Sequence, residues 1–268
     1  MNFRIVHFSD IHLSEPLKDL AGFFDKRIVG TVNARFVRKH LHDPEIMPAA
    51  VESMLAQEPD LIVFSGDAAS CGQPPEFELA AKMLQPLTDS GIPILYTPGN
   101  HDLYVKSKKC RAACETFITH LTNGKMSLDR YPAVFDAGPL KLLVFNGARP
   151  TNPLLSCGFF EEKSQKLLRE EVERKEKPLV AVCHFPIRRI RKGLVNGLRH
   201  QMFHTGEAVE FLNSGKLDLV LCGHIHKPYF DLDESGRGET SCGSLTRFRA
   251  YSVIDFDGTQ FLHSRVEL

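Results

Sequence analysis

The sequence predicts an α/β layered fold, and two observations carry that prediction. Short apolar runs of four to six residues, which suit buried strands, alternate with amphipathic stretches that have helical spacing and readable helix ends. The 268 residues contain no internal repeat, low-complexity segment or Pro/Gly-rich linker. We therefore expect one domain over residues 1–268, which is long enough to bury a substantial core.

The predicted strands are apolar over nearly their whole length, as expected for central strands that are covered on both faces. In chain order they are Phe3–Phe8, Leu61–Phe64, Ile92–Tyr96, Leu142–Phe145, Leu179–Cys183 and Leu217–Cys222. Three further strands are predicted near the end of the chain, at Lys227–Asp233, Arg249–Phe256 and Gln260–Val266. Because Asp257-Gly258 is a hairpin signal, we expect a tight antiparallel meander to finish the fold.

The predicted helices lie between these strands. Asp43 and Pro44 suit the N-cap and first turn of a helix that runs to about Gln57. A second helix is expected over Pro75–Ser90, closed by Gly91. Further helices are expected near Lys106–Leu121, Glu161–Lys175 and Thr205–Asn213. Helical apolar spacing at Ile28, Val32 and Phe36 predicts an inserted helical cap at about residues 17–42.

Composition excludes several classes of protein. Hydrophobic residues make up 43% and charged residues 25% of the chain, which excludes a disordered or fibrous protein. The 33 basic and 33 acidic residues cancel, so no stable nucleic-acid binding is expected. No apolar run approaches the roughly 18 residues of a membrane span.

The amino terminus and the cysteines predict a cytoplasmic protein. The first residues carry Arg4 and reach Asp10 too early to hold the apolar core of a signal peptide. The seven cysteines have no zinc-ribbon or CxxC spacing, so free thiols are expected.

Polar side chains follow five of the predicted strands, at the point where each strand ends. They occur in the segments Ser9-Asp10-Ile11-His12, Ser65-Gly66-Asp67, Gly99-Asn100-His101-Asp102, His184 and Gly223-His224-Ile225-His226. The carboxyl edge of an open α/β sheet is where ligands bind, so distant residues should converge on one crevice. In Asp10-x-His12 and His224-x-His226, residues two apart can point to the same side of an extended segment.

The chemistry of this set indicates metal binding. Seven of the side chains are oxygen or imidazole donors, which suit divalent ions such as Mn, Fe, Zn or Mg. They are Asp10, His12, Asp67, Asn100, His184, His224 and His226. Seven donors exceed what one ion takes, so we expect two divalent ions that share a bridging carboxylate. Seven polar residues at buried strand ends without such a ligand would each need a hydrogen-bond partner.

These motifs resemble those of the calcineurin-like metallophosphoesterase superfamily, over residues 5–226. The resemblance implies a four-layer α/β/β/α sandwich of two mixed sheets with flanking helices and a binuclear metal centre. It assigns Asp10, His12, Asp67 and His226 to the first ion. It assigns Asp67, Asn100, His184 and His224 to the second, with Asp67 as the bridge. It places His101 opposite the scissile phosphate rather than on a metal.

The resemblance predicts a phosphoesterase that attacks a phosphodiester or phosphomonoester with a metal-activated hydroxide. His101 would stabilise transition-state charge or protonate the leaving oxygen, and Asp102 would orient His101. An Asp that caps the next helix is the alternative for Asp102. Ser70 stands where purple acid phosphatases place a tyrosine ligand, and the sequence Gly66–Ser70 departs from that of Ser/Thr protein phosphatases. What remains resembles the bacterial branch with class III cyclic-nucleotide phosphodiesterases, so a small cyclic or nucleotide substrate is expected.

Basic residues near the predicted site are candidates for substrate binding. They are Arg149, which follows the fourth strand, and Arg188 and Arg189 in the basic segment after His184. A solvated surface is the alternative for each. Basic residues of the insertion, such as Arg27 and Arg35, could contact substrate or an anionic membrane surface, so peripheral membrane contact stays open.

Two other functions stay open at this stage. One is a pyrophosphatase that acts on a nucleotide-linked lipid precursor at the membrane surface. The other is a non-catalytic interaction module that retains the fold, which the complete donor set and His101 disfavour. The native metals, the physiological substrate and the oligomeric state do not follow from the sequence.

Overall fold

The computed structural model describes residues 2–17, 25–27, 41–152, 155–188, 197 and 199–268. Most of the predicted insertion at 17–42 lies outside these residues, as does Arg189. In chain order the strands are β1 (Phe3–Phe8), β2 (Leu61–Phe64), β3 (Ile94–Tyr96), β4 (Ala133–Asp136), β5 (Lys141–Val144), β6 (Gly158–Phe159), β7 (Leu179–Val182), β8 (Met202–Phe203), β9 (Leu219–Cys222), β10 (Tyr229–Leu232), β11 (Gly238–Ser241), β12 (Ala250–Phe256) and β13 (Phe261–Glu267).

The first five α-helices of the described residues start close to their predicted residues, whereas the sixth, a single turn, was not predicted. In chain order the helices are α1 (Met47–Leu55), α2 (Pro74–Asp89), α3 (Lys108–Leu121), α4 (Glu162–Arg174), α5 (Gly206–Asn213) and α6 (Leu245–Phe248). Asp43 caps a 3₁₀ turn, Pro44–Ile46, that leads into α1, and its carboxylate accepts a hydrogen bond from the Glu45 N–H. None of the described helices is both long and apolar enough to cross a bilayer.

Two mixed sheets form the centre of the molecule. The first has the order β13-β12-β1-β2-β3, with β1, β2 and β3 parallel. The second has the order β10-β11-β9-β7-β5-β4, with β5, β7, β9 and β11 parallel. Apolar side chains of both sheets belong to one buried core. Strands β6 and β8 form a separate two-stranded sheet.

Helices cover the outer faces of both sheets. Ser53 of α1 hydrogen-bonds the Tyr251 hydroxyl of β12, and Phe117 of α3 packs edge-on against Tyr96 of β3. On the second sheet, Glu171 of α4 pairs with Lys141 of β5 at 2.8 Å. This layering of helix, sheet, sheet and helix confirms the α/β sandwich.

The predicted carboxyl-terminal meander is wrong. Strands β12 and β13 do form the expected hairpin, but β12 pairs with β1 in the first sheet, whereas β10 and β11 belong to the second. Strand β11 (Gly238–Ser241) was not predicted, because its polar sequence has no strand pattern. Its place depends on a tertiary contact: buried Glu239 accepts hydrogen bonds from the N–H groups of Ile187 and Arg188.

All seven cysteines are free thiols, as the sequence predicts, and all seven are buried. His7 is likewise a buried core residue, with Nε2 2.8 Å from the Ser65 hydroxyl.

Candidate metal centre

The loops that follow β1 and β2 are joined by main-chain hydrogen bonds. The N–H groups of Asp10, His12 and Leu13 donate to the carbonyl oxygens of Gly66, Asp67 and Ala68 at 2.9, 3.0 and 2.9 Å. The two loops therefore run side by side beyond the sheet, which brings the side chains of Asp10 and His12 next to Asp67. Asp10 and Asp67 are more than fifty residues apart in the chain, but their loops are adjacent because β1 and β2 are neighbouring parallel strands.

Five of the predicted ligands have a left-handed backbone. The φ angles are +55° at Asp10, +49° at His12, +57° at Asp67, +66° at His224 and +60° at His226. The expectation of extended Asp-x-His and His-x-His segments is therefore wrong. This conformation costs about 1 kcal/mol or more for a non-glycine residue, and such strain concentrates at functional sites.

The glycines beside the ligands permit close packing of the loops. A Cβ on Gly99 would lie 2.1 Å from Asp67 Oδ1, and a Cβ on Gly223 would lie 2.0 Å from Ser9 Oγ and 2.5 Å from Asp10 Oδ2. No side chain fits at either position without displacing a ligand loop. The absent side chains therefore allow the carboxylates to approach the neighbouring main chain.

Four donors form a compact group. One ligand atom each of Asp10, His12, Asp67 and His226 lies within 4.8 Å of the others. Asp10 Oδ1 is 3.3 Å from His226 Nε2 and 3.5 Å from His12 Nε2, and the two imidazole nitrogens are 2.8 Å apart. An ion held about 2.1 Å from each donor requires spacings of this size between the donors. These are the four residues that the resemblance assigns to the first ion.

Asp67 Oδ2 lies between this group and the second set of donors. It is 3.7 Å from His12 Nε2 on one side and 3.3 Å from His184 Nε2 on the other. The His184 ring in turn lies 5.2 Å from the His224 ring, centre to centre. One carboxylate oxygen is thus adjacent to ligands of both predicted sites, as a bridging ligand must be.

Several of these buried atoms have no hydrogen-bond partner. They are Asp10 Oδ1, Asp67 Oδ2, Asn100 Oδ1, His184 Nε2 and His224 Nε2. An unsatisfied buried polar atom typically costs 1–3 kcal/mol, and here five of them belong to the predicted ligand set. Their chemistry, oxygen and imidazole nitrogen without thiolate, suits divalent ions such as Mn, Fe, Zn or Mg. The residues present therefore fit a metal centre.

The remaining atoms of the same side chains are used to orient them. Asp10 Oδ2 accepts from the His224 N–H at 3.0 Å, and Asp67 Oδ1 accepts from the His101 N–H at 2.8 Å. The His184 Nδ1–H donates to the Ser65 carbonyl at 2.7 Å, which leaves Nε2 as the ring nitrogen that faces the centre. Each of these side chains thus has one atom held by the protein and one directed to the centre.

The electrostatics of the centre favour ionised carboxylates. Burial alone would raise the pKa of Asp10, but the adjacent His12 and His226 rings outweigh burial and hold that pKa well below its ordinary value. Burial would also raise the pKa of Asp67, but His184 and His101 outweigh it and lower that pKa. At His184 burial lowers the pKa, yet the Asp67 carboxylate overrides it and raises the pKa to about 9. Burial lowers the pKa of His224.

His101 lies beside the first group of donors. Its ring is 4.9 Å from the His12 ring, and its Nδ1–H donates to the Ser70 carbonyl at 2.6 Å. This hydrogen bond fixes the tautomer and leaves Nε2 as the ring nitrogen available to another group.

Asp102 has a different place from the one predicted. Its carboxylate accepts from the N–H groups of Asp67, Ala69 and Gly99 and from the Tyr96 hydroxyl, at 2.6–3.0 Å. It therefore braces the loops after β2 and β3, whereas the Ser70 carbonyl orients the His101 ring. Asp102 was predicted either to orient His101 or to cap the next helix. Neither describes the role seen here, and the next helix, α3, is capped by Ser107. Burial raises the pKa of Asp102 to about 6.

The predicted substrate-binding arginines have other partners. The Arg149 guanidinium lies 3.2 Å from the centre of the Phe159 ring, and Arg188 is bound by Asp231 and Asn213. These partners do not belong to the metal centre, so substrate contact by Arg149 and Arg188 stays a prediction. Arg27 is not a surface residue: it is 2% exposed and bound to Asp25, so its side chain is not presented to a membrane surface.

Three residues near the centre were not predicted. The His42 ring packs edge-on against His12 at 5.0 Å, and the His200 ring lies 5.7 Å from His224. Tyr104 stacks on His101 with ring centres 5.3 Å apart. None of them belongs to a strand-end motif, and only their tertiary positions identify them.

The chain resembles known proteins in its family motifs, in part of its sequence and in its fold. The family model for calcineurin-like phosphoesterases matches residues 3–228. The glycerophosphodiester phosphodiesterase GpdQ of Enterobacter lignolyticus is 34% identical over 98 residues, which are 37% of this chain and 29% of that protein. The chain thus matches less than a third of the length of that relative.

Two solved structures show the same fold at low identity. A dimetal phosphatase from Danio rerio is 11% identical with a TM-score of 0.65, over 97% of this chain and 98% of the other. The purple acid phosphatase PPD1 of yellow lupin is 11% identical with a TM-score of 0.64, over 100% of this chain and 52% of the other. The family match covers most of the residues, including all the strand-end motifs. The chain therefore belongs to the calcineurin-like phosphoesterase family.

Proposed function

We propose that the protein hydrolyses a small phosphodiester at a centre of two divalent ions. The observation that carries this proposal is the set of five buried donor atoms without hydrogen-bond partners, from Asp10, Asp67, Asn100, His184 and His224. Asp10, His12, Asp67 and His226 would hold the first ion, and Asp67, Asn100, His184 and His224 the second. When bound, the two ions supply a hydroxide nucleophile near neutral pH and neutralise phosphoryl oxygens.

The side chains around the centre have separate tasks. Asp67 would align both ions, because its Oδ2 faces donors of both groups while Oδ1 is held by the His101 N–H. His101 would donate a proton from Nε2 to the leaving oxygen, since its Nδ1–H is committed to the Ser70 carbonyl. Asp102 would keep the Asp67 and Asn100 loops at the spacing that this alignment needs.

A phosphodiester is favoured over a monoester by the local similarity to a protein named as a glycerophosphodiester phosphodiesterase. A cyclic nucleotide is one small diester of this kind. The nucleotide-lipid pyrophosphatase gains no support, because Arg27 is buried and most basic residues that motivated it lie outside the described residues.

The proposal is tested by activity and metal content together. After treatment with a chelator, the protein should hydrolyse nothing, and Mn, Fe, Zn or Mg added separately should restore activity on bis(4-nitrophenyl) phosphate. 4-Nitrophenyl phosphate, cyclic AMP and a nucleotide sugar complete the substrate panel. Absence of turnover on every diester with every ion would contradict the proposal.

Asp67→Asn tests the bridge in the same preparation. We expect the bound metal, measured by elemental analysis, to fall from two ions per chain toward none, because the substituted side chain serves both groups of donors. Asp129→Asn, at an exposed position paired with Arg111, is the control and should keep both ions. Loss of a single ion in Asp67→Asn would show that Asp67 does not bridge.

A further inference from the structure

A lysine of the insertion reaches the vicinity of the proposed catalytic histidine. Lys26 Nζ lies 4.0 Å from the centre of the Tyr104 ring, and that ring is nearly parallel to the His101 ring, at 11°. The ring centres of Tyr104 and His101 are 5.3 Å apart, so the Lys26 ammonium lies at most about 9.3 Å from the His101 ring centre. Lys26 is thus near His101, the residue proposed to protonate the leaving oxygen.

The position of Lys26 is set by its neighbours. Nζ donates to the Thr151 carbonyl at 3.1 Å, which ties the insertion to the loop after β5. The next residue, Arg27, is 2% exposed, and its Nη1 lies 3.6 Å from Cys110 Sγ of α3. Two contacts therefore hold the backbone at residue 26. One is the burial of the Arg27 side chain, and the other is the hydrogen bond from Lys26 to the Thr151 carbonyl.

The charge of Lys26 is not neutralised by a carboxylate among the described residues. Asp25, the carboxylate next to Lys26 in the chain, is bound by Arg27, whose Nε and Nη2 contact its two oxygens at 3.0 and 2.8 Å. Lys26 is half-buried, and burial lowers its pKa. A carbonyl oxygen and an aromatic face satisfy part of its bonding capacity, but neither carries a compensating negative charge.

We propose that Lys26 binds an anionic group on the leaving-group arm of the substrate, beside His101 and Tyr104. The proposal rests on the proposed function and narrows its substrate class to phosphate esters whose leaving group carries its own negative charge. A half-buried ammonium gains a charge-assisted hydrogen bond when such a group enters, whereas an uncharged arm offers it nothing comparable. Tyr104 serves as a positioning residue, because its ring contacts both Lys26 and His101.

A matched pair of substrates tests this inference. Methyl 4-nitrophenyl phosphate and methyl 3-carboxy-4-nitrophenyl phosphate differ by one carboxylate on the leaving group. With Mn-loaded protein, kcat/KM should favour the carboxylated ester, and Lys26→Met should reduce that preference about tenfold, the equivalent of one charge-assisted hydrogen bond. Lys26→Arg should keep most of the preference. Lys163→Met, on the exposed face of α4, is the matched control and should behave like wild type.

Calorimetric titration separates this inference from the proposed function, because it needs no turnover. Benzylphosphonate and 4-carboxybenzylphosphonate should both bind the Mn-loaded protein, and only the second should lose affinity in Lys26→Met. Equal affinity losses for both phosphonates, or none, would overturn the role of Lys26 and leave the phosphoesterase intact. If neither phosphonate binds wild type and no ester is hydrolysed, both proposals fail.

Discussion

At the scale of single residues, the atoms of one side chain have different tasks. Asp10 and Asp67 each use one carboxylate oxygen to accept a main-chain N–H and direct the other to the centre. His184 does the same with its two ring nitrogens. This division fixes the orientation of each donor before any ion binds, so little conformational entropy is lost on binding.

His101→Ala tests the assignment of the proton donor. We expect turnover on bis(4-nitrophenyl) phosphate to fall by about 10²–10⁴-fold, the usual contribution of a general acid. Metal content should stay near wild type, because His101 is not among the proposed ligands. His120→Ala, at an exposed position of α3, is the control for loss of an imidazole. Unchanged turnover in His101→Ala would remove this residue from the mechanism.

At the scale of elements, the loops after the parallel strands must pack closely to assemble the centre. Gly66 precedes Asp67 at φ +98°, and a Cβ there would lie 2.6 Å from the Thr97 carbonyl oxygen and 2.9 Å from His184 Nδ1. The loop after β2 thus contacts the loops after β3 and β7 through a position that only glycine fits. The spacing of three strand ends depends on one residue without a side chain.

Gly66→Ala should separate these loops. We expect a loss of about 2–5 kcal/mol in the free energy of unfolding, from a positive φ plus steric overlap with main chain. Gly91→Ala is the matched control, because Gly91 has φ +74° but open space around its Cβ position. It should cost only about 1–2 kcal/mol. Urea unfolding of both variants measures the difference, and equal losses would show that the close packing contributes nothing.

At the scale of the whole molecule, the first sheet contains a buried titratable side chain. Loops at the end of this sheet carry several of the candidate metal ligands. His7 of β1 is fully buried, and burial lowers its pKa from 6.5 to about 3. The unfolded chain therefore binds a proton near pH 6.5 that the folded protein takes up only near pH 3. Stability from this residue is complete above pH 6.5 and falls as the pH drops toward 3.

The acid sensitivity of folding should therefore decrease when His7 is replaced. Between pH 7.5 and pH 5, His7 accounts for a loss of about 2 kcal/mol in the free energy of unfolding. His7→Val should be less stable than wild type at pH 7.5, because the Ser65 contact is lost, but should lose about 2 kcal/mol less on acidification. Denaturation curves at both pH values test this, and parallel losses in the two proteins would contradict it.

The sequence alone determined the fold class, most strand and helix positions and the seven candidate donors. Apolar runs that end in Asp, Asn or His carry that information locally, because buried strands must be apolar and buried polar side chains need a ligand or a partner. The family match confirms the resemblance that these motifs indicate.

Only the tertiary structure decided how those residues act together. It divided the last four strands between two sheets, since pairing depends on which strand edges are available. In the folded protein the Asp102 carboxylate binds the main chain of the ligand loops rather than the His101 ring. His42 and Tyr104 contact the His12 and His101 rings, and Lys26 lies over the Tyr104 ring. Contacts between residues far apart in the chain leave no periodic or motif signal, because they depend on the packing of whole elements rather than on neighbours in sequence.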